Sequence, residues 1–129
     1  TIDLACIIED ESVHLLIIKK NLELTGLIKS TLVFENGKDA FLTLKEMIQN
    51  NEKLPEIIFL DLNMPIWDGW RFLDEFTQIP IENKITIYIL TSSNREEDLK
   101  RAESYQLNDK YLIKPIKQHQ IQEVLNEFV

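Results

Sequence analysis

Six residues whose side chains can hold a cation, donate to an anion or attack an electrophile stand directly after apolar runs: Glu9 and Asp10, Asp61, Thr91 and Ser92, and Lys114. Taken singly, each has a plain explanation. An acid after a strand commonly caps the next helix, and an isolated Lys-Pro pair carries little meaning. Taken as a set they are three carboxylates, two hydroxyls and an ammonium. Carboxylates brought together repel one another and persist only if one keeps its proton or a cation offsets them, so a pocket of this kind costs stability that function usually explains. The donors are all oxygen, which suits a hard cation. Mg²⁺ is typically held by one or two carboxylates together with waters and phosphate oxygens.

Whether these residues meet depends on the elements that carry them. Short runs rich in Ile, Val, Leu and Phe alternate with longer amphipathic stretches, the pattern of strands alternating with helices. Strands are expected over residues 4–9, 31–35, 56–61, 85–91 and 110–113. The third run is continuously apolar inside and the fourth nearly so, as in a parallel sheet covered by helices on both faces. Helices are expected over residues 11–25, ended near Gly26, and 38–50, with Phe41, Leu44 and Ile48 at helical spacing. Three more are expected over 68–78, closed by Pro80, over 95–105 and over 117–128, where Ile121, Val124, Leu125 and Phe128 share one face. In open parallel sheets ligands bind beyond the carboxyl ends of the strands, which is where all six residues fall.

Bulk properties bound the answer. A chain of 129 residues, 44% hydrophobic, has room for one core and one domain, residues 1–129. With 14 Lys and Arg against 22 Asp and Glu, the net charge of −8 opposes nucleic-acid binding. No apolar segment approaches the roughly 20 residues that span a bilayer, and there is no secretory layout at the start. The single cysteine, Cys6, lies in an apolar run and reads as a buried small hydrophobe in a reducing compartment. A cytoplasmic location is expected.

Along essentially its whole length the chain resembles the receiver domains of bacterial two-component response regulators, through Ile8-Glu9-Asp10-Glu11, Leu60-Asp61-Leu62-Asn63-Met64-Pro65, Asp68-Gly69, Leu90-Thr91-Ser92 and Lys114-Pro115. The resemblance implies an α/β, flavodoxin-like, doubly wound five-stranded parallel sheet of order 2-1-3-4-5 with five helices. It implies Asp61 as phosphoacceptor, and Mg²⁺ held by Asp10, Asp61 and the backbone carbonyl of Asn63, with Glu9 acting through metal-bound water. Glu9 stands where the family more often has Asp. Lys114 would pair with phosphoryl oxygens, ahead of a proline that in this family usually follows a cis peptide bond. Thr91 would donate to the phosphoryl group, and Tyr111 matches the aromatic that changes rotamer on activation, although ordinary strand packing also accounts for a tyrosine there. Asn63 and Ser93, with Ser92 beside it, would set water access. All are small and polar, so a transient acyl phosphate is expected. The implied phosphodonor is a sensor histidine kinase or a histidine phosphotransfer protein, the output is an unidentified protein target reached through the fourth helix, fifth strand and fifth helix, and the chain is expected to be a monomer or weak homodimer.

Two other functions fit parts of this pattern. An Asp-nucleophile phosphohydrolase usually needs a second acid two residues past the nucleophile, where this chain has Asn63, and a cap for its substrate. A receiver-shaped module that takes no phosphate would not need Asp10, Asp61, Thr91 and Lys114 together. Of the remaining features, Trp70 reads as core and Trp67 either as core or as an exposed partner contact. His14 and His119 read as surface residues without metal-ligand company. The run from Val13 to Ile18 exceeds one amphipathic face, so the first helix either exposes apolar area to a docking phosphodonor or meets a deeper core.

Overall fold

The computed structural model describes residues 1–128. Strands β1 (Ile2–Ile8), β2 (Ile28–Phe34), β3 (Ile57–Asp61), β4 (Thr86–Thr91) and β5 (Tyr111–Ile113) alternate with helices α1 (Ser12–Thr25), α2 (Gly37–Gln49), α3 (Gly69–Phe76), α4 (Glu96–Ser104) and α5 (Gln118–Phe128). All pairings are parallel and the sheet order is β2-β1-β3-β4-β5. This is the flavodoxin-like arrangement that the resemblance implied.

The two-residue period of a strand divides the core into two layers. Ile58 and Leu60 of β3 face Ala40 and Leu44 of α2, Phe72 and Leu73 of α3 and Ala102 of α4. Ile57 and Phe59 face Ile18 and Leu22 of α1 and Ile121 and Leu125 of α5. Each of these side chains is almost entirely removed from water, which at about 1.5–3 kcal/mol per large apolar side chain makes the central strands the main source of stability. Cys6 belongs to the first layer, and burial pushes its thiol well above the ordinary range, so it stays protonated.

Element ends follow local chemistry. The Asn36 side chain accepts from the Asp39 N–H (2.8 Å) at the start of α2, and Asp68 accepts from the Arg71 N–H (2.9 Å) at the start of α3. Gly26, in the left-handed region at φ 68°, closes α1. Most observed bounds lie within two residues of those predicted. β2 is the exception, starting at Ile28 rather than residue 31. Lys29 and Ser30 broke the apolar pattern because they lie exposed on an edge strand, where Ser30 Oγ donates to the Asp3 carbonyl (3.0 Å) and Lys29 pairs with Asp3 (3.2 Å).

Trp70 is buried, stacked on Tyr105 with ring centroids 6.1 Å apart. Trp67 is half-buried against Phe41 (5.3 Å), with the Arg71 guanidinium 4.4 Å from its ring centroid. Helix α1 leaves part of its apolar run outside the core: Val13, Leu16 and Ile17 are exposed, Leu16 at 68%, while Ile18 is buried. Among the described residues, no helix is long and apolar enough to cross a membrane.

Candidate functional site

Strand register brings the six residues together. Ile8 pairs with Leu60, placing Glu9 beside Asp61, and Thr91 pairs with Ile113, placing Lys114 one residue beyond. The backbone holds both flanks: Glu9 N–H donates to the Phe34 carbonyl (2.9 Å) and Lys114 N–H to that of Thr91 (2.7 Å). The Lys114-Pro115 peptide is cis, as the resemblance implied. Beyond Asp61 the chain turns back on itself. Gly69 N–H donates to the Leu62 carbonyl (2.9 Å), and a Cβ on Gly69 would stand 2.5 Å from the Asp61 carbonyl oxygen, so only glycine allows this approach.

A cleft of about 260 Å³ opens at this rim, lined by Asp10, His14, Asp61, Asn63, Ser92 and Lys114 among others. Glu9, Asp10 and Asp61 each offer a carboxylate oxygen, all within 4.8 Å of one another. Glu9 and Asp61 are buried and Asp10 is exposed. Lys114 Nζ donates to Glu9 Oε1 (2.7 Å) and to Asp61 Oδ1 (3.3 Å). The Asn63 N–H reaches Asp61 Oδ1 at 3.4 Å.

The electrostatics follow from burial. Loss of water pushes the Asp61 carboxyl up to about 7, with a further rise from hydrogen bonding and charge at Glu9, while Lys114 pulls the other way. Burial also raises Glu9, but its hydrogen bonds with Asp61 and Lys114 outweigh that and leave it below the usual carboxylate range. Burial lowers Lys114, yet the two acids more than restore it and hold it charged. One ammonium thus balances one carboxylate, and the second acid holds its proton up to about neutral pH or ionises against its neighbour's charge. The oxygen-only donor set and this uncompensated second charge both fit a divalent cation.

Around the cleft, Thr91 is fully buried and its Oγ1 accepts from the Ser93 N–H (3.1 Å). Tyr111 is half-buried, with its hydroxyl donating to the Ser93 carbonyl (2.9 Å). Ser92 lines the cleft, whereas the Ser93 hydroxyl donates to Asp98 Oδ2 (2.6 Å) on α4.

Residues 5–126 match the family model of the response regulator receiver domain. The chain belongs to that family. This receiver domain is 29% identical over 121 residues to the probable methanogenesis regulatory protein FilR2 of Methanothrix harundinacea, covering 94% of the chain and 77% of the relative. It is 29% identical over 103 residues to the response regulator Rcp1 of Synechocystis sp., covering 79% and 69%. A crystal structure of a two component response regulator from Cytophaga hutchinsonii superposes with a TM-score of 0.85 at 27% identity, covering 98% of the chain and 96% of that structure.

Sequence reasoning missed His14, which it read as an ordinary surface residue. Its side chain is 38% exposed, but Nδ1 lies 3.2 Å from Lys114 Nζ and 2.5 Å from Glu11 Oε2, at the lip of the cleft. Its place three residues after Glu11, in the first turn of the helix that follows the strand-end acids, was the signal there to be read. The contact between Ser93 and Asp98 was missed as well.

Proposed function

We propose that this receiver domain accepts a phosphoryl group on Asp61 from the phosphohistidine of a sensor histidine kinase or histidine phosphotransfer protein, with Mg²⁺ as cofactor. Receiver domains as a family work with such partners in two-component signalling and are not enzymes that turn over an outside substrate. The observation that carries the reading is a buried carboxylate, Asp61, set between two further acids and the Lys114 ammonium in an open cleft.

In this reading a carboxylate oxygen of Asp61 attacks phosphorus in line as the phosphorus–nitrogen bond of the donor breaks and the imidazole leaves. Phosphoryl transfer asks the protein mainly for positioning and for charge to offset the equatorial oxygens. Lys114, already within 3.3 Å of Asp61, supplies one such charge. Asp10, Asp61 and the Asn63 carbonyl would hold Mg²⁺, with Glu9 acting through water. When bound, the ion neutralises charge on the transferred group. Thr91 then turns its hydroxyl to the phosphoryl oxygens, and Tyr111 and the α4, β5 and α5 face respond as a shift between two existing conformations. Asn63, Ser92 and Ser93 leave water a route in, so the acyl phosphate is transient. The exposed Val13, Leu16 and Ile17, on the helix that carries His14 to the cleft, offer apolar area for the phosphodonor. The reading includes a cytoplasmic protein that does not bind nucleic acid or membrane, acts as a monomer or weak homodimer, and has residues 1–129 as one receiver unit.

Intact-mass measurement after incubation with acetyl phosphate and Mg²⁺ tests this. One phosphoryl group per wild-type chain and none on Asp61→Asn is the expected result. Continuous turnover of a small phosphomonoester would favour a phosphohydrolase instead, and an unlabelled, folded wild type would favour a module that takes no phosphate.

A further inference from the structure

Ser93 is gripped from three elements at once. Its N–H donates to Thr91 Oγ1 at the end of β4 (3.1 Å), its carbonyl accepts from the Tyr111 hydroxyl on β5 (2.9 Å), and its own hydroxyl donates to Asp98 Oδ2 on α4 (2.6 Å). The first two contacts use backbone atoms that any residue would supply. The third depends on side-chain identity.

Asp98 is unlike the other acids beside it. Glu96, Glu97 and Asp98 all occupy the first turn of α4, where negative charge meets the helix dipole favourably. Glu96 and Glu97 are exposed, whereas the Asp98 side chain is only 14% exposed and turns back toward the loop. There it also lies 3.4 Å from Arg95 Nη2. Arg95, the residue before the helix, makes no side-chain cap; its N–H instead donates to Ser93 Oγ (3.3 Å). The loop after Thr91 is thus fastened to α4 through one short hydrogen bond with a charged acceptor, the stronger kind of hydrogen bond.

We propose that Asp98 is a positioning residue of the switch, coupling displacement of Thr91 and its loop to displacement of helix α4 through the Ser93 hydroxyl. The proposal rests on the phosphoacceptor reading above and adds to it the route by which the event at Asp61 reaches α4. A plain capping role differs in what it does: a cap stabilises α4 equally whether or not the cleft is filled, while a coupler matters to the difference between the two states.

The test uses beryllofluoride with Mg²⁺ as the phosphoryl mimic and reads amide chemical shifts by NMR at the cleft, for occupancy, and along α4, for response. In Asp98→Ala the mimic is expected to bind within about threefold of its wild-type affinity while the α4 shift changes fall to about a third or less. Asp98→Asn, whose side-chain oxygen still accepts from Ser93, should keep most of the response. Hydrogen exchange of α4 without the mimic reports its intrinsic stability. A full α4 response in Asp98→Ala overturns the proposal. So does an α4 already melted without the mimic in both variants, since that is the behaviour of a cap. If the wild type itself does not bind the mimic, the phosphoacceptor reading fails and takes this inference with it, an outcome recognised by unmoved cleft amides.

Discussion

The floor of the sheet and its carboxyl rim are one residue apart and obey opposite rules. In β3, Ile57, Ile58, Phe59 and Leu60 are fully buried and apolar, and the next residue, Asp61, is buried and ionisable. An apolar residue likewise gives way to a buried polar one from Ile8 to Glu9, an acid, and from Leu90 to Thr91, a hydroxyl. Among the described residues, the buried polar positions are Glu9, Asn36, Asp61 and Thr91, and every one lies at this rim. Asn36 is spent on capping α2 and Thr91 on holding the Ser93 N–H, so Glu9 and Asp61 stand out as two buried acids set side by side. The floor stores stability, and the rim gives some of it up to hold acids that repel one another.

Substitutions sharpen the contrast by their sign. Phe59→Ala, in the floor, should lose about 4 kcal/mol through lost transfer energy and a residual cavity, read by urea denaturation. Asp61→Asn, in the rim, should instead gain about 2 kcal/mol at pH 8 without Mg²⁺, because an ionised acid beside Glu9 is removed. The pH dependence fixes the cause. Asp61 is pushed from an ordinary 3.8 up to about 7, so the folded chain keeps a proton that the unfolded chain has released. The stability this confers is complete below about pH 4 and is lost as pH rises through 7. Wild type without Mg²⁺ should therefore weaken between about pH 4 and 7, and the gain from Asp61→Asn should vanish near pH 4. Equal slopes for the two proteins would break the comparison. The smallest effect is expected at Ile66, a β-branched, 69% exposed residue at φ 69° in the loop after Asp61. Ile66→Asn should gain about 1 kcal/mol by relieving that backbone conformation, again by denaturation.

The floor was the more legible region in the sequence. β3 and β4 announce themselves as apolar runs because both faces are covered, and Gly26 and Asp68 mark helix ends through chemistry that is local. β2 was shortened because its edge position admits Lys29 and Ser30, which look like a loop. At the rim, residue types and their places after strands revealed Glu9, Asp10, Asp61, Thr91 and Lys114, but not how they share charge. That depends on Lys114 meeting Glu9 across 105 positions and on a common loss of water. His14 escaped notice because a lone histidine on a helix has no pattern of its own. Ser93 was read for its place two residues after Thr91, and only the fold reveals that its hydroxyl is turned to α4.

The central claim is that Glu9, Asp10 and Asp61 are held together awaiting a divalent cation, and thermal unfolding at pH 8 with and without Mg²⁺ addresses it directly. Mg²⁺ at about ten times its dissociation constant should stabilise wild type by about 1.4 kcal/mol, a rise in Tm of roughly 3–5 °C, and should leave Asp61→Asn nearly unmoved. An Asp61→Asn variant that responds as strongly as wild type, or a wild type that does not respond at all, would contradict the account.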